Sequence, residues 1–237
     1  MTFLKRLTLP MVALALSTSV ATEVRAIHYP NSSVDDVVAV YGGMAEVRLK
    51  PHFERAKIHY PPQEVVFLAT KEEKELELWA RDDGEFTFIR SYPISKASGG
   101  PGPKLREGDK QVPEGIYRIT HLNPNSRFHL SMRIDYPNSY DLMRAAKEGR
   151  SNPGGDIFIH GKAASTGCLA VGDIAVEELF VLVSKVGPER ASVVIAPHDP
   201  RRQPLDGFAS NLPRWAVELY GDISREFAKY PKRDSDI

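Results

Sequence analysis

The chain has 237 residues, 42% of them hydrophobic and 26% charged, which excludes a disordered, collagenous or coiled-coil chain as a whole. Its 31 basic and 31 acidic residues cancel, so it lacks the global positive field that duplex nucleic-acid binders use, and no nucleic-acid partner is expected. A single cysteine excludes an internal disulfide and a cysteine-rich zinc site; no metal and no cofactor are expected.

Lys5 and Arg6 precede an apolar run from Leu7 to Val20, too short to span a bilayer comfortably. Small residues follow at Ala21 and Ala26. The pattern predicts a signal peptide over 1–26, cleaved after one of those two alanines. Either cut removes two net positive charges and leaves the mature chain at net −2, with no membrane span remaining. An unpaired thiol in an oxidising space is open to oxidation, so its retention asks for a functional explanation.

Residues 27–62 read as an N-terminal helical extension. Val34 to Tyr41 has loosely helical spacing, with Pro51, Pro61 and Pro62 marking its exits. Strands are predicted at Val65–Ala69, at Glu75–Ala80, at Glu85–Arg90 beyond the Asp82-Asp83-Gly84 turn, at Ile116–Thr120 and at Asp156–His160. Asp173 is placed to cap a helix whose core face is Val176, Leu179, Phe180 and Val183. Ser192–Ala196 reads as a closing strand and Leu212–Tyr230 as a polar helix. Short strands joined by Gly/Pro turns predict a mostly β (α+β) catalytic domain over 63–200, followed by a C-terminal helical extension over 201–237.

The chemistry concentrates between His160 and Cys168. An apolar strand delivers His160 at its end, Gly161 permits a turn, and a loop of small residues returns the chain to Gly167 and Cys168. A thiol is weakly ionised near neutral pH. A neighbouring histidine that takes its proton gives an ion pair and a strong nucleophile. Gly167 lets the backbone approach a substrate carbonyl, and amides near Cys168 are candidates for an oxyanion hole. The papain order, cysteine first and histidine far downstream, does not fit.

The stretch from His160-Gly161 to Ser165-Thr166-Gly167-Cys168 resembles the catalytic motif of the L,D-transpeptidases, the YkuD-type domain, and is closest to its YafK-like branch. Upstream, Gly102-Pro103-Lys104, Gly108-Asp109 and Pro113-Glu114-Gly115-Ile116-Tyr117 resemble the same family, as does Pro137-Asn138-Ser139-Tyr140-Asp141. The chain departs from the common pattern at Thr166, where a second histidine is usual, and at Ala170, where Arg or Asn is usual. The resemblance implies an L,D-transpeptidase-like β-sandwich with a few flanking helices, exported to the periplasm and acting on peptidoglycan stem peptides. Cys168 is then the nucleophile and His160 the base. The Gly161 carbonyl orients the second ring nitrogen, and Gly167 supplies oxyanion-hole backbone. Ser165 and Thr166 are expected at the substrate, and Arg127 either meets a substrate carboxylate or is a surface arginine. Tyr136, Asn138, Tyr140 and Asp141 either line the cleft or form an ordered loop. Lys104 and Lys162 are read as solvated charges. The family also contains hydrolases that cut wall peptides or wall–lipoprotein bonds, so a wall-linked lipoprotein is a second candidate partner. A catalytically dead wall-binding module and a secreted thiol protease are the competing classes.

Overall fold

Ser33 stops the extended chain and starts the first helix. Its Oγ accepts the Asp36 amide at 3.1 Å while the Asp36 carboxylate accepts the Ser33 amide at 2.8 Å, a reciprocal cap. Helix α1 runs Val34–Ala56 and closes on Lys57 in the left-handed conformation. Pro51 lies inside α1 rather than at its exit. A proline removes one helical hydrogen bond, but Leu49 and Phe53 flank it in the core and carry the helix past it. In this computed structural model residues 31–205 and 212–231 are described. The signal peptide expected over 1–26 lies outside them.

The strands follow as β1 (Glu64–Thr70), β2 (Glu75–Arg81), β3 (Thr87–Pro93), β4 (Lys96–Ala97), β5 (Gly115–Asn123) and β6 (Ser131–Ile134). Helix α2 (Ser139–Lys147), β7 (Phe158–His160), β8 (Leu169–Ala170), α3 (Asp173–Val186), β9 (Ala191–Ala196) and α4 (Ala216–Phe227) complete the order. Among the described residues the nine strands form one mixed sheet, β3-β2-β1-β9-β5-β6-β7-β8-β4. The fold is mostly β with flanking helices, as expected. β9 does not close an edge: it sits between β1, to which it is parallel, and β5. β5 serves both halves. Its first residues pair with β9 and its last with β6, across a register shift between Ile119 and His121.

Both halves pack on α3. Val176, Leu179, Phe180 and Val183 are fully buried in one cluster with Phe67 and Leu78 from one half and Met132 and Ile159 from the other. Each such side chain contributes about 1.5–3 kcal/mol through its burial. α3 also buries Glu178, which is satisfied by Arg48 at 2.7 Å, Arg90 at 3.0 Å and the Tyr92 hydroxyl at 2.8 Å. β1 and β2 are covered on both faces. The alternation in β2 suggested one wet face, yet Glu77 and Trp79 are buried beside Leu76 and Leu78. The second cover is α4, whose Leu219, Ile223 and Phe227 pack with Trp79 and Leu68. The Trp79 indole donates to Glu77 at 2.7 Å, which lets that carboxylate stay inside.

Three short strands and α2 had no periodic signal. β4 and β8 have two residues each, and β6 has four. The predicted strand at Asp156 shrinks to Phe158–His160, because Asp156 takes a positive φ of 53°. α2 begins at the motif read as a loop. Asn138 Oδ1 accepts the amides of Tyr140 and Asp141 at 2.9 and 3.1 Å, and Asp141 Oδ2 accepts the Asn138 amide at 3.0 Å.

Burial pushes the Asp141 carboxyl up to about 6, against the Asn138 amide and the Tyr117 hydroxyl that pull it down. The folded state then holds this proton more tightly than the unfolded chain, so stability is lost as pH rises from about 4 to about 6. The unfolding free energy of wild type minus that of Asp141→Asn should fall by roughly 2–3 kcal/mol across that window. A pH-independent difference in denaturant titrations would rule this out.

Candidate active site

β7 ends on His160, and β8 starts one residue after Cys168. The two strands are parallel neighbours, with Ile159 opposite Leu169 and His160 opposite Ala170. This ladder brings the two ends of the 161–167 loop together. His160 and Cys168 line one cavity of about 200 Å³, walled by Asn123, Arg127, Phe128, Ser131 and Phe158 among others.

His160 is only 2% exposed. Its Nδ1 lies 2.6 Å from the carbonyl oxygen of Gly161. A carbonyl only accepts, so Nδ1 carries the proton and Nε2 presents the lone pair. The Phe128 ring lies against the imidazole, centroids 4.5 Å apart. Burial pushes the imidazole below its ordinary value, with the Gly161 carbonyl pulling the other way. Burial also pushes the Cys168 thiol up, offset by a backbone hydrogen bond from Phe158 and the charge of Lys104. Both shifts favour uncharged groups. Burial thus works against the thiolate–imidazolium pair expected from the sequence, and Sγ is in contact with the Asp156 carbonyl at 3.9 Å.

Gly161 is needed for space rather than for φ. A Cβ there would come within 2.6 Å of Asp173 Oδ1 and 2.7 Å of the Phe128 carbonyl. The positive φ falls on Lys162, whose amide donates to Asp173 Oδ1 at 2.7 Å. Asp173 is thus spent on the loop and makes no helix cap; Gly172 occupies that position. Lys162 Nζ donates to the Arg127 carbonyl at 2.6 Å and ties the loop to the cavity wall. Lys162 is exposed, as a solvated charge would be, but Lys104 is not: it is buried, with Nζ on Asp109 at 2.6 Å and on the Arg106 carbonyl at 2.9 Å.

Gly167 has φ 123° and donates its amide to Ser98 Oγ at 2.6 Å. That amide is occupied, so Gly167 shapes the loop instead of offering an oxyanion donor. Ser165 Oγ donates to the Cys168 carbonyl at 2.6 Å, a bond within the loop. Thr166 is exposed. Ala170 is fully buried in β8, so the missing Arg or Asn leaves a ladder position and not a cavity wall. Arg127 is exposed and lines the cavity.

Tyr136, Asn138 and Tyr140 do not line it. Tyr136 is buried, its hydroxyl donating to the Pro153 carbonyl at 2.9 Å. Asn138 and Tyr140 face a separate cavity of about 400 Å³ formed with β5 and α4 residues. The competing demand at these positions is structural: Asn138 caps α2, and the Tyr140 ring packs edge-on to Trp215. Sequence reasoning missed Phe128, Ser131 and Phe158. Nothing in their types marks them; the β6–β7 ladder, with Ser131 opposite His160 and Arg133 opposite Phe158, brings in two of them, and Phe128 stacks on His160 from the segment before β6.

The molecule is thus a mostly β domain with a buried histidine and a lone cysteine in one small cavity. Residues 64–195 match the L,D-transpeptidase catalytic domain (YkuD) family, and the chain belongs to that family. It is 37% identical over 116 residues to "Putative L,D-transpeptidase YafK" of Escherichia coli K12, an overlap of 48% of this chain and 45% of that protein. The chain therefore spans about half the length of the curated relatives it matches. Among solved structures it is similar to the helical cell shape determining protein Pgp2 of Campylobacter jejuni, at 22% identity and TM-score 0.47, covering 57% of this chain and 48% of that one. It is also similar to Bd1075 of Bdellovibrio bacteriovorus, at 22% identity and TM-score 0.42, covering 68% and 63%.

Proposed function

We propose that this chain is an exported L,D-transpeptidase that works on peptidoglycan stem peptides through a thioester on Cys168. The observation that carries the reading is the cavity that His160 and Cys168 share, with the His160 Nδ1 proton held by the Gly161 carbonyl so that Nε2 is left to act as base. As Sγ attacks a stem-peptide carbonyl, Nε2 takes the thiol proton. The S–C bond forms, the C–N bond breaks, and the imidazolium returns that proton to the leaving amine. An acceptor amine then attacks the thioester and gives a new amide, restoring the thiol. Because burial disfavours both charged forms, proton transfer during the attack fits this site better than transfer before it. Export to the periplasm rests on the residues of 1–26, and N-terminal sequencing of the mature protein should find cleavage after Ala21 or Ala26.

Hydrolysis is the second reading. Thr166 is exposed and uncharged where the family usually has a second histidine, which leaves less to hold an acceptor against water. The test incubates the purified chain with a tetrapeptide-bearing wall fragment, with and without excess D-amino acid, and separately with lipoprotein-bearing wall. Mass spectrometry should show exchange of the terminal residue or a crosslinked dimer. A shortened stem or released lipoprotein fragment without exchange product assigns the chain to the hydrolases. No change in any arm leaves a wall-binding module.

A further inference from the structure

β4 has only two residues, yet its ladder with β8 sets Ala97 opposite Leu169. The next residue, Ser98, therefore emerges beside the end of the loop that carries Cys168. Its Oγ accepts the Gly167 amide at 2.6 Å. It lies 3.0 Å from Ser165 Oγ, and the Ser98 amide donates to that same oxygen at 3.2 Å. Ser165 Oγ sits 2.6 Å from the Cys168 carbonyl.

The proton inventory fixes the directions. A carbonyl only accepts, so the Ser165 proton goes to the Cys168 carbonyl. The Ser98 hydroxyl then donates to Ser165 Oγ and keeps a lone pair for the Gly167 amide. The backbone on both sides of the Cys168 α-carbon is thereby held by two hydroxyls 67 residues apart. Gly167 is at φ 123°, where a glycine moves freely, so a bond to its amide selects one conformation from several. Ser98 itself is anchored from behind. Its carbonyl accepts the Val112 amide at 3.2 Å, the Val112 carbonyl accepts Lys71 Nζ at 3.3 Å, and Lys71 is paired with buried Glu114 at 2.9 Å.

We propose that Ser98 is a positioning residue for the chemistry of Cys168, acting through Gly167 and Ser165 to set where Sγ stands relative to His160 Nε2. The inference rests on Cys168 being the nucleophile. Misplacing a reacting atom by about 1 Å slows a reaction by about 10²-fold, which sets the scale of the expected effect.

The test compares full-length wild type, Ser98→Ala and Ser98→Thr by three measurements: melting temperature, kcat and KM on a tetrapeptide wall fragment, and the pH dependence of Cys168 alkylation by iodoacetamide. Ser98→Ala should lower kcat by about 10- to 100-fold with KM changed less than about twofold. Its alkylation inflection should move down towards that of a free thiol as Sγ leaves its half-buried seat. Ser98→Thr keeps the hydroxyl and should restore both. A wild-type kcat and alkylation profile in Ser98→Ala overturns the proposal. So does a loss of kcat that Ser98→Thr fails to restore at an unchanged melting temperature. If wild type itself turns over no wall fragment, the transpeptidase reading has failed, and the alkylation profile alone decides whether Ser98 positions the thiol.

Discussion

Cys168→Ala should abolish acyl transfer to a wall fragment, and His160→Ala should slow it by about 10²- to 10⁴-fold, the usual worth of a positioned general base. The pH profile separates this mechanism from a preformed ion pair. The imidazole is held below its ordinary value by burial, so it stays unprotonated to lower pH. The acid limb of kcat/KM should therefore lie below the range in which a free histidine titrates, and it should vanish in His160→Ala. The thiol is held up by burial, so iodoacetamide labelling of wild type should inflect above the pH of a free thiol. Fast labelling near neutral pH that collapses in His160→Ala would show a preformed ion pair and overturn the expectation drawn from burial. Equal turnover in wild type and His160→Ala would remove His160 from the base role.

Glu114→Ala should destabilise the fold by about 3–5 kcal/mol, the scale for stripping one partner from a buried ion pair. Glu114 is 1% exposed and Lys71 8%. One carboxylate oxygen accepts both Lys71 Nζ and the Gly102 amide at 2.9 Å; the other accepts the Tyr220 hydroxyl at 2.8 Å. Lys71 also donates to the Gly100 carbonyl at 2.6 Å. This hub joins the end of β1, the 98–114 segment and α4. Burial already pulls the Lys71 ammonium below its ordinary value, and Glu114 is the first group that opposes it. Without the carboxylate the amine is left buried and unpaired. Denaturant unfolding measures the loss, and one below about 1 kcal/mol would mean that water reaches the site. Replacing both members, as Lys71→Met with Glu114→Leu, should recover a large part of the loss, because the uncompensated charge is then gone.

The distribution of legible and illegible features follows from distance along the chain. Val65–Ala69 was readable as a continuous apolar run and the Val176–Val183 face by its helical period, while the alternation at Leu76–Ala80 marked the strand but not its second buried face. The ends were less so. Helix α1 continues through Pro51 because Phe53 reaches the core, and Asp173 serves the 161–167 loop instead of its own helix. Both outcomes depend on partners that the local pattern does not contain. The same holds for Tyr136, Asn138 and Tyr140, whose residue types suit a cleft but whose bonds build a buried support and a helix cap.

His160 and Cys168 could be paired from the sequence because only a short loop of small residues separates them, and that geometry is local. The sequence by itself determined the closeness of this pair and a mostly β fold, while the need for a glycine at 161 comes from Asp173 and Phe128, which crowd it only in the folded chain. The tertiary structure alone decided how far the pair is buried, which pushes the imidazole down and the thiol up. It also decided which residues wall the cavity, since Ser131 arrives through strand pairing and Phe128 through its ring contact with His160. Ser98 reaches the Cys168 loop for the same reason: a two-residue ladder joins segments that are remote in sequence, and no local pattern encodes a partner so far away.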